Sequence, residues 1–238
     1  MTESEICKRE NSSSLLVNSE FSGDVTEDWF VAEYWGSKAS PVGSGGRGGA
    51  WFINAAGQQL VLREYLRGGL ASHISRKTYT YTGEHNVRSF SEFRVLKRMI
   101  SMALPVPRPV AAWFRKVSPI QYRAAIIIER IQGAKPLADL IGMLSGADWY
   151  SLGQTIRRFH DAGVWHADLN CFNVLVVEKD FFLIDFDKGC IMPSGSRSNW
   201  KTDNLNRFAR SLRKVGGDAA LNQVWDSFLN GYEGSSTA

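Results

Sequence analysis

The chain has 238 residues and a formal net charge of +4, with 44% hydrophobic and 22% charged side chains. These proportions exclude wholesale disorder, a collagen-like repeat and a small disulfide scaffold. The length suits one domain, or two small lobes sharing a cleft. Three cysteines, Cys7, Cys171 and Cys190, fall in no CxxC or Cys/His zinc spacing, so a reducing cytosol is the expected compartment. No apolar run approaches the roughly 20 residues of a membrane-spanning helix. The acidic opening Met-Thr-Glu-Ser-Glu is not expected to act as a secretory signal.

Charge is unevenly spread. Residues 1–30 carry two basic and seven acidic side chains, residues 47–135 fifteen and four, and residues 136–238 ten and twelve. The middle of the chain therefore suits an anionic partner, and the last part supplies carboxylates. Nucleic acid, an anionic membrane and a phosphorylated substrate all satisfy charge alone.

Residues 1–27 are rich in Ser, Glu and Asn and show little periodicity, which predicts a mobile leader. A glycine-rich stretch, Gly43–Gly49, precedes Ala50-Trp51-Phe52-Ile53, a turn at Asn54–Gly57, and Gln59–Tyr65. That order predicts a β-hairpin. From Ser89 to about Met102 the apolar period becomes helical, with Phe93, Leu96 and Ile100 on one stripe. Pro105-Val106-Pro107-Arg108-Pro109 ends that helix as a stiff connector. Strands are expected at Val110–Arg115 and Tyr122–Arg130, the second buried on both faces through Ala124–Ile128. Gln132-Gly133 breaks the pattern where the charge balance changes, so the lobes are drawn as 28–132 and 133–238. Beyond it, helices are expected at Leu137–Leu144 and Asp148–Asp161, the latter capped by Gly163. A short hairpin follows at Val174–Ile184, then a basic helix at Asn204–Val215 and a tail from Gly231.

The strongest local signal is His166-Ala167-Asp168-Leu169-Asn170-Cys171-Phe172-Asn173 followed by Leu183-Ile184-Asp185-Phe186-Asp187. The first piece is an H-x-D-x-x-x-x-N pattern, and Asp185 closes a strand after it. This is the spacing of a kinase catalytic loop and its metal-binding aspartate. The hairpin between them folds back, so Asp168, Asn173 and Asp185 meet at one end of a small sheet. Phosphoryl transfer needs that grouping. Asn173 and Asp185 offer hard oxygens for Mg2+ on the phosphates of ATP, and Asp168 can orient an acceptor hydroxyl and take its proton. His166 reads as a brace for the loop. Taken singly, a lone HxD or an Asp-Phe-Asp turn is common by chance.

Gly43-Ser44-Gly45-Gly46-Arg47-Gly48 satisfies GxGxxG, and a hairpin follows it rather than a helix. That context favours a loop whose backbone N–H groups lie over phosphates, with Gly45, Gly46 and Gly48 as the contact points. A flexible surface loop is the plain alternative. Kinases place a cation on the next strand, paired with a helix glutamate. Here the candidates are Arg63 and Glu92, with arginine where lysine is expected. Ser89-Phe90-Ser91-Glu92 also fits a capping box, which would occupy Glu92 differently.

Four segments together resemble the 3-deoxy-D-manno-octulosonic acid (Kdo) kinase family within the lipopolysaccharide kinase group. They are Val61–Gly69, Leu104–Pro109, His166-Ala167-Asp168-Leu169-Asn170 and Leu183–Gly189, and the match spans roughly residues 35–215. The resemblance implies an α+β, two-lobed protein-kinase-like fold, with an antiparallel sheet plus helix in the N-lobe and a mostly helical C-lobe. It implies ATP-dependent phosphorylation of the 4-hydroxyl of Kdo on a lipid A precursor, with Mg2+ as cofactor. It also implies a peripheral location at the cytoplasmic side of the inner membrane, with no nucleic-acid partner. Arg67, Arg76, Lys77, Arg88, Lys97 and Arg98 could hold the anionic headgroup. The helix bearing Arg207, Arg210, Arg213 and Lys214 reads either as a membrane-surface patch or as a packing helix with a solvated basic side. Two other functions stay open: a kinase for a protein or aminoglycoside-like acceptor, and a degenerate kinase-fold binding protein.

Overall fold

The computed structural model describes residues 5–10, 12–21, 23–43, 49–66, 78–193, 195 and 199–234. It divides into two compact units, one of residues 1–97 and 107–130, the other of residues 98–106 and 131–238.

The first unit is built on an antiparallel sheet. In chain order its strands are β1 (Glu5–Glu10), β2 (Ser13–Asn18), β3 (Ala39–Pro41), β4 (Ala50–Ala55), β5 (Gln58–Glu64) and β6 (Tyr79–Thr80), followed after helix α1 (Arg88–Ser101) by β7 (Pro109–Ser118) and β8 (Gln121–Glu129). Across the sheet they run β1-β2-β7-β8-β5-β4-β3, with β6 on β8. The β4–β5 hairpin closes through Ala56 and Gly57, both at positive φ (51° and 76°). That pair matches the twist of the flanking strands. Strand β8 is covered on both sides. Tyr122 joins an aromatic group with Phe114 and, through it, Phe90 of α1. Ala125 and Ile127, of opposite parity, enter a core with Leu60, Leu62, Val110, Phe30 and Trp35. A strand buried on both faces reads as a continuous apolar run, which is what residues 124–127 show.

The leader expected over residues 1–27 is corrected. Residues 5–10 and 13–18 of it form the β1–β2 hairpin, and β2 pairs with β7 from Ser13↔Arg115 to Val17↔Ala111. All six residues of β2 are buried. Polar composition hid this strand because its polar groups are satisfied at long range: Ser13 Oγ meets the Glu27 carboxylate, and Asn18 Nδ2 donates to the Pro109 carbonyl at 3.1 Å. A buried polar group with a partner costs little, so serine and asparagine can line a buried strand.

The second unit holds β9 (Lys135–Pro136), α2 (Gly146–Asp161), β10 (Val164–Trp165), β11 (Val174–Val177), β12 (Asp180–Leu183), β13 (Cys190–Ile191) and α3 (Trp200–Glu233). Helix α2 starts in a reciprocal capping box between Ser145 and Asp148. It ends where Gly163 takes φ 78° and its N–H donates to the His160 carbonyl. The helix expected at 137–144 shrinks to one 3-10 turn, Leu137–Asp139, because Leu140 leaves the helical path. The basic helix expected at 204–215 is instead the first part of α3, which breaks at Gly217 (φ 81°, ψ 173°) and resumes to Glu233. Two glycines let α2 and α3 touch backbone to backbone. A Cβ on Gly153 would lie 2.1 Å from the Phe228 carbonyl oxygen, and one on Gly231 would lie 1.9 Å from that of Tyr150.

Candidate active site

The site in the second unit is assembled by backbone bonds around His166. This ring is 2% exposed, and burial pushes its pKa below the usual histidine value, so it is neutral. Its Nε2 lies 2.9 Å from the Ile184 carbonyl oxygen. A carbonyl can only accept, so Nε2 carries the proton and Nδ1 is the acceptor. The Asp168 N–H donates to that Nδ1 at 3.1 Å. One neutral imidazole thus ties the end of β12 to the loop carrying Asp168. It is a brace, as its place in the motif suggests.

The loop then closes on itself. Asn170 Oδ1 accepts from the Phe172 and Asn173 N–H groups at 2.8 and 3.1 Å, and its Nδ2 donates to the Asp168 carboxylate at 3.1 Å. Asn173 Nδ2 donates to the Asp168 carbonyl at 2.9 Å, and the Ile184 N–H donates to the Asn173 carbonyl at 3.0 Å. Strand pairing of Val174 with Leu183 continues directly from this contact. Asp168, Asn173 and Asp185 are therefore brought together at one end of the β11–β12 hairpin. The Asn173 amide nitrogen donates to the Asp168 carbonyl, so its oxygen is the atom that could hold a metal. The Asp185 carboxylate, at the same end of the hairpin, would be a second hard oxygen donor, and such a donor set fits magnesium.

Asp185 adopts φ 66°, the left-handed region, where a non-glycine residue costs about 1 kcal/mol. The turn it makes sends Phe186 inward. Phe186 is 1% exposed, stacks on Phe159 of α2 at 6.2 Å and tilts against His166 at 4.6 Å. Burying such a ring contributes about 1.5–3 kcal/mol, enough to hold Asp185 in its strained conformation. Gly189 makes room for the ring: a Cβ there would fall 2.8 Å from Phe186 Cδ1.

Helix α3 supports the loop with a stripe that motif reading missed. Asn204, buried, grips the His166 backbone from both sides, its Nδ2 donating to the carbonyl at 2.9 Å and its Oδ1 accepting from the N–H at 3.2 Å. Three residues on, Arg207 Nη1 donates to Asp168 Oδ1 at 3.3 Å. Four further, Ser211 Oγ accepts from the Cys171 N–H at 3.0 Å. Positions 204, 207 and 211 share one helix face, and that spacing was the available signal. Cys171 is fully buried, with its thiol against Ser211, and burial raises its pKa. That environment suits a packing residue.

In the first unit Arg63 of β5 pairs with Glu92 of α1. Glu92 is 2% exposed and also accepts from the Tyr65 hydroxyl. The Arg63 guanidinium stacks on the Tyr65 ring at 5.0 Å. The capping-box reading of Glu92 gives way to this: the Ser89 hydroxyl donates to the Trp113 carbonyl at 2.9 Å, and the Glu92 carboxylate turns to Arg63 and Tyr65. Gly45, Gly46 and Gly48, together with Arg67, Arg76 and Lys77, lie outside the described residues.

Known proteins resemble this chain over most of its length. The model of the "Lipopolysaccharide kinase (Kdo/WaaP) family" matches residues 32–232. A 3-deoxy-D-manno-octulosonic acid kinase of Stenotrophomonas maltophilia strain R551-3 is 44% identical over 218 residues, covering 91% of this chain and 86% of the relative. One of Xylella fastidiosa strain M12 is 39% identical over 224 residues, covering 93% and 89%. Among solved structures, "WaaP in complex with acyl carrier protein" matches with a TM-score of 0.53 at 14% identity, over 82% of this chain and 78% of that one. That last likeness establishes the fold, which is the mixed α+β kinase-like architecture expected.

Proposed function

Because this chain belongs to the lipopolysaccharide kinase (Kdo/WaaP) family, we propose that it uses ATP to phosphorylate the 4-hydroxyl of the Kdo sugar on a Kdo-lipid A precursor, in lipopolysaccharide core biosynthesis. One observation carries the reading: Asp168 and Asn173 belong to a single hydrogen-bonded unit, closed by His166 and the Asn173–Ile184 contact, and Asp185 follows Ile184 directly in the chain.

Each residue has a part in the transfer. Asp168, its side chain 61% exposed, meets the acceptor hydroxyl, orients it and takes its proton. Asn173 and Asp185 would hold magnesium, which when bound neutralises charge on the nucleotide phosphates. Arg63, held by Glu92, is the proposed phosphate-binding cation of the first unit, since a guanidinium can bind a phosphate bidentately. Gly45, Gly46 and Gly48 stay proposed as nucleotide contacts on their sequence pattern alone.

The same reading puts the protein at the cytoplasmic side of the inner membrane, held peripherally on an anionic surface. The excess of basic side chains in residues 47–135 supports it. Among the described residues no helix is long and apolar enough to cross a membrane.

The test incubates purified protein with ATP, magnesium and a panel of acceptors: a Kdo-lipid A precursor, a protein and an aminoglycoside. The expected product is the Kdo-lipid heavier by one phosphate, located on the 4-hydroxyl by fragmentation. Phosphate on the other acceptors alone would overturn the choice of substrate. Salt-sensitive polyanion binding with no magnesium-dependent turnover would overturn the kinase reading itself.

A further inference from the structure

We propose that Arg207 is the receptor for the acceptor sugar's carboxylate, and so sets which hydroxyl-bearing substrates this site accepts. The proposal rests on the kinase reading above and deepens it.

Arg207 stands beside the reaction centre by construction. Asn204 and Ser211, on the turns before and after it, are both bonded to the backbone of the loop that carries Asp168. The helix face is thereby fixed against that loop, and Arg207 has little choice of neighbour. Its contact with Asp168 is a single N–H at 3.3 Å, and its side chain stays 46% exposed. An exposed ion pair of this kind adds little to stability, typically under about 1 kcal/mol, so folding does not explain the residue. Arg213, on the same helix, is different: its Nε donates to the Asp218 carboxylate at 2.6 Å, away from the loop.

A guanidinium has five N–H donors in a planar fork. One of them holds Asp168 here, and the fork still presents donors to solvent. An ulosonic acid carries its carboxylate on the ring carbon two positions from the one bearing the 4-hydroxyl. When that hydroxyl meets Asp168, the carboxylate lies a few ångströms away, at the range of a cation already touching Asp168. Arginine binds carboxylates in two-point fashion, which fixes the sugar's orientation as well as its charge. The same group would offset the repulsion between the substrate carboxylate and Asp168.

The experiment compares two acceptors on the full-length protein: the Kdo-lipid A precursor, and the same molecule with the sugar carboxylate converted to a neutral carboxamide. Wild type should favour the carboxylate acceptor by about 10- to 100-fold in kcat/KM, the range of a charge-assisted hydrogen bond. In Arg207→Gln that preference should collapse to within about threefold, with the KM for ATP unmoved. Arg207→Lys should retain part of it. An undiminished preference in Arg207→Gln, or none in wild type, overturns the proposal whatever happens to the overall rate. Wild type turning over neither acceptor would sink the functional reading and the proposal together. Thermal melting of the variants separates either outcome from a folding defect.

Discussion

His166 and Ile184 are joined by a 2.9 Å hydrogen bond from the ring Nε2–H to the backbone carbonyl, while the other ring nitrogen accepts from the Asp168 N–H. Both bonds need the neutral Nε2–H tautomer. Replacing His166 by Phe keeps a ring against Phe186 and removes both bonds. Two such bonds are worth about 1–3 kcal/mol, so kcat should fall about 10- to 100-fold while the protein still folds. Steady-state kinetics beside a melting curve checks this, and an unchanged kcat would remove the brace from the account.

His160 gives a pH signature. It is 3% exposed, its Nδ1 lies 2.7 Å from the Tyr232 hydroxyl, and burial pulls its pKa from 6.5 to about 4. A histidine buried neutral binds its proton less tightly folded than unfolded. Its contribution is therefore fully present above about pH 6.5 and is lost as pH falls from there toward 4. His166 acts in the same direction. Unfolding free energy by urea titration should drop between pH 7 and pH 4, with His160 alone contributing on the order of 3 kcal/mol. The His160→Gln variant should show a shallower decline over that range.

The two aspartates separate by role. Asp168→Ala should cost about 10²–10⁴-fold in kcat, the usual worth of a positioned base, with no loss of fold, since the side chain is mostly exposed. Asp185→Asn should instead raise the magnesium concentration needed for half-maximal rate. Identical metal dependence in wild type and Asp185→Asn would argue against that residue as a ligand.

Glu92 is a buried carboxylate held by Arg63 and the Tyr65 hydroxyl. Removing it takes a buried carboxylate away from the guanidinium and hydroxyl that face it, so Glu92→Ala should destabilise the protein by about 3–5 kcal/mol. The double variant with Arg63→Met should be less damaged than the two single losses predict, because the two side chains interact directly and each single loss counts their contact once. Arg63→Lys keeps the charge but loses the fork over Tyr65, and its activity should fall. Chemical denaturation and initial rates measure the two effects independently.

Gly231→Ala places a methyl group 1.9 Å from the Tyr150 carbonyl oxygen. Backbone cannot rotate aside as a side chain can, so α2 and α3 must separate. The variant should lose about 3 kcal/mol or more, seen as a Tm lowered by several degrees or as insoluble protein. Gly234→Ala, at the left-handed end of α3, should cost less.

Much of the site was legible because its parts are close in sequence. The interval from His166 to Asp187 holds the loop, a hairpin and Asp185, and a short hairpin can bring its ends together in only one way. Strands β4, β5 and β8 were legible from apolar runs and turn residues. Neither β2 nor the Asn204–Arg207–Ser211 stripe carries such a mark. Ser13, Asn18 and Asn204 read as surface residues in isolation, and their burial is stable only with Glu27, Pro109 and His166 as partners.

Local pattern alone therefore determined the loop, its hairpin and the residue types that phosphoryl transfer requires, because those follow from short-range turns and hydrophobic periodicity. The tertiary structure decided that residues 5–10 and 13–18 are sheet, that α3 runs on to Glu233, and that Arg207 stands against Asp168. Each of those outcomes depends on hydrogen bonds or backbone contacts between positions far apart in the chain, whose energy exists only once the chain has folded.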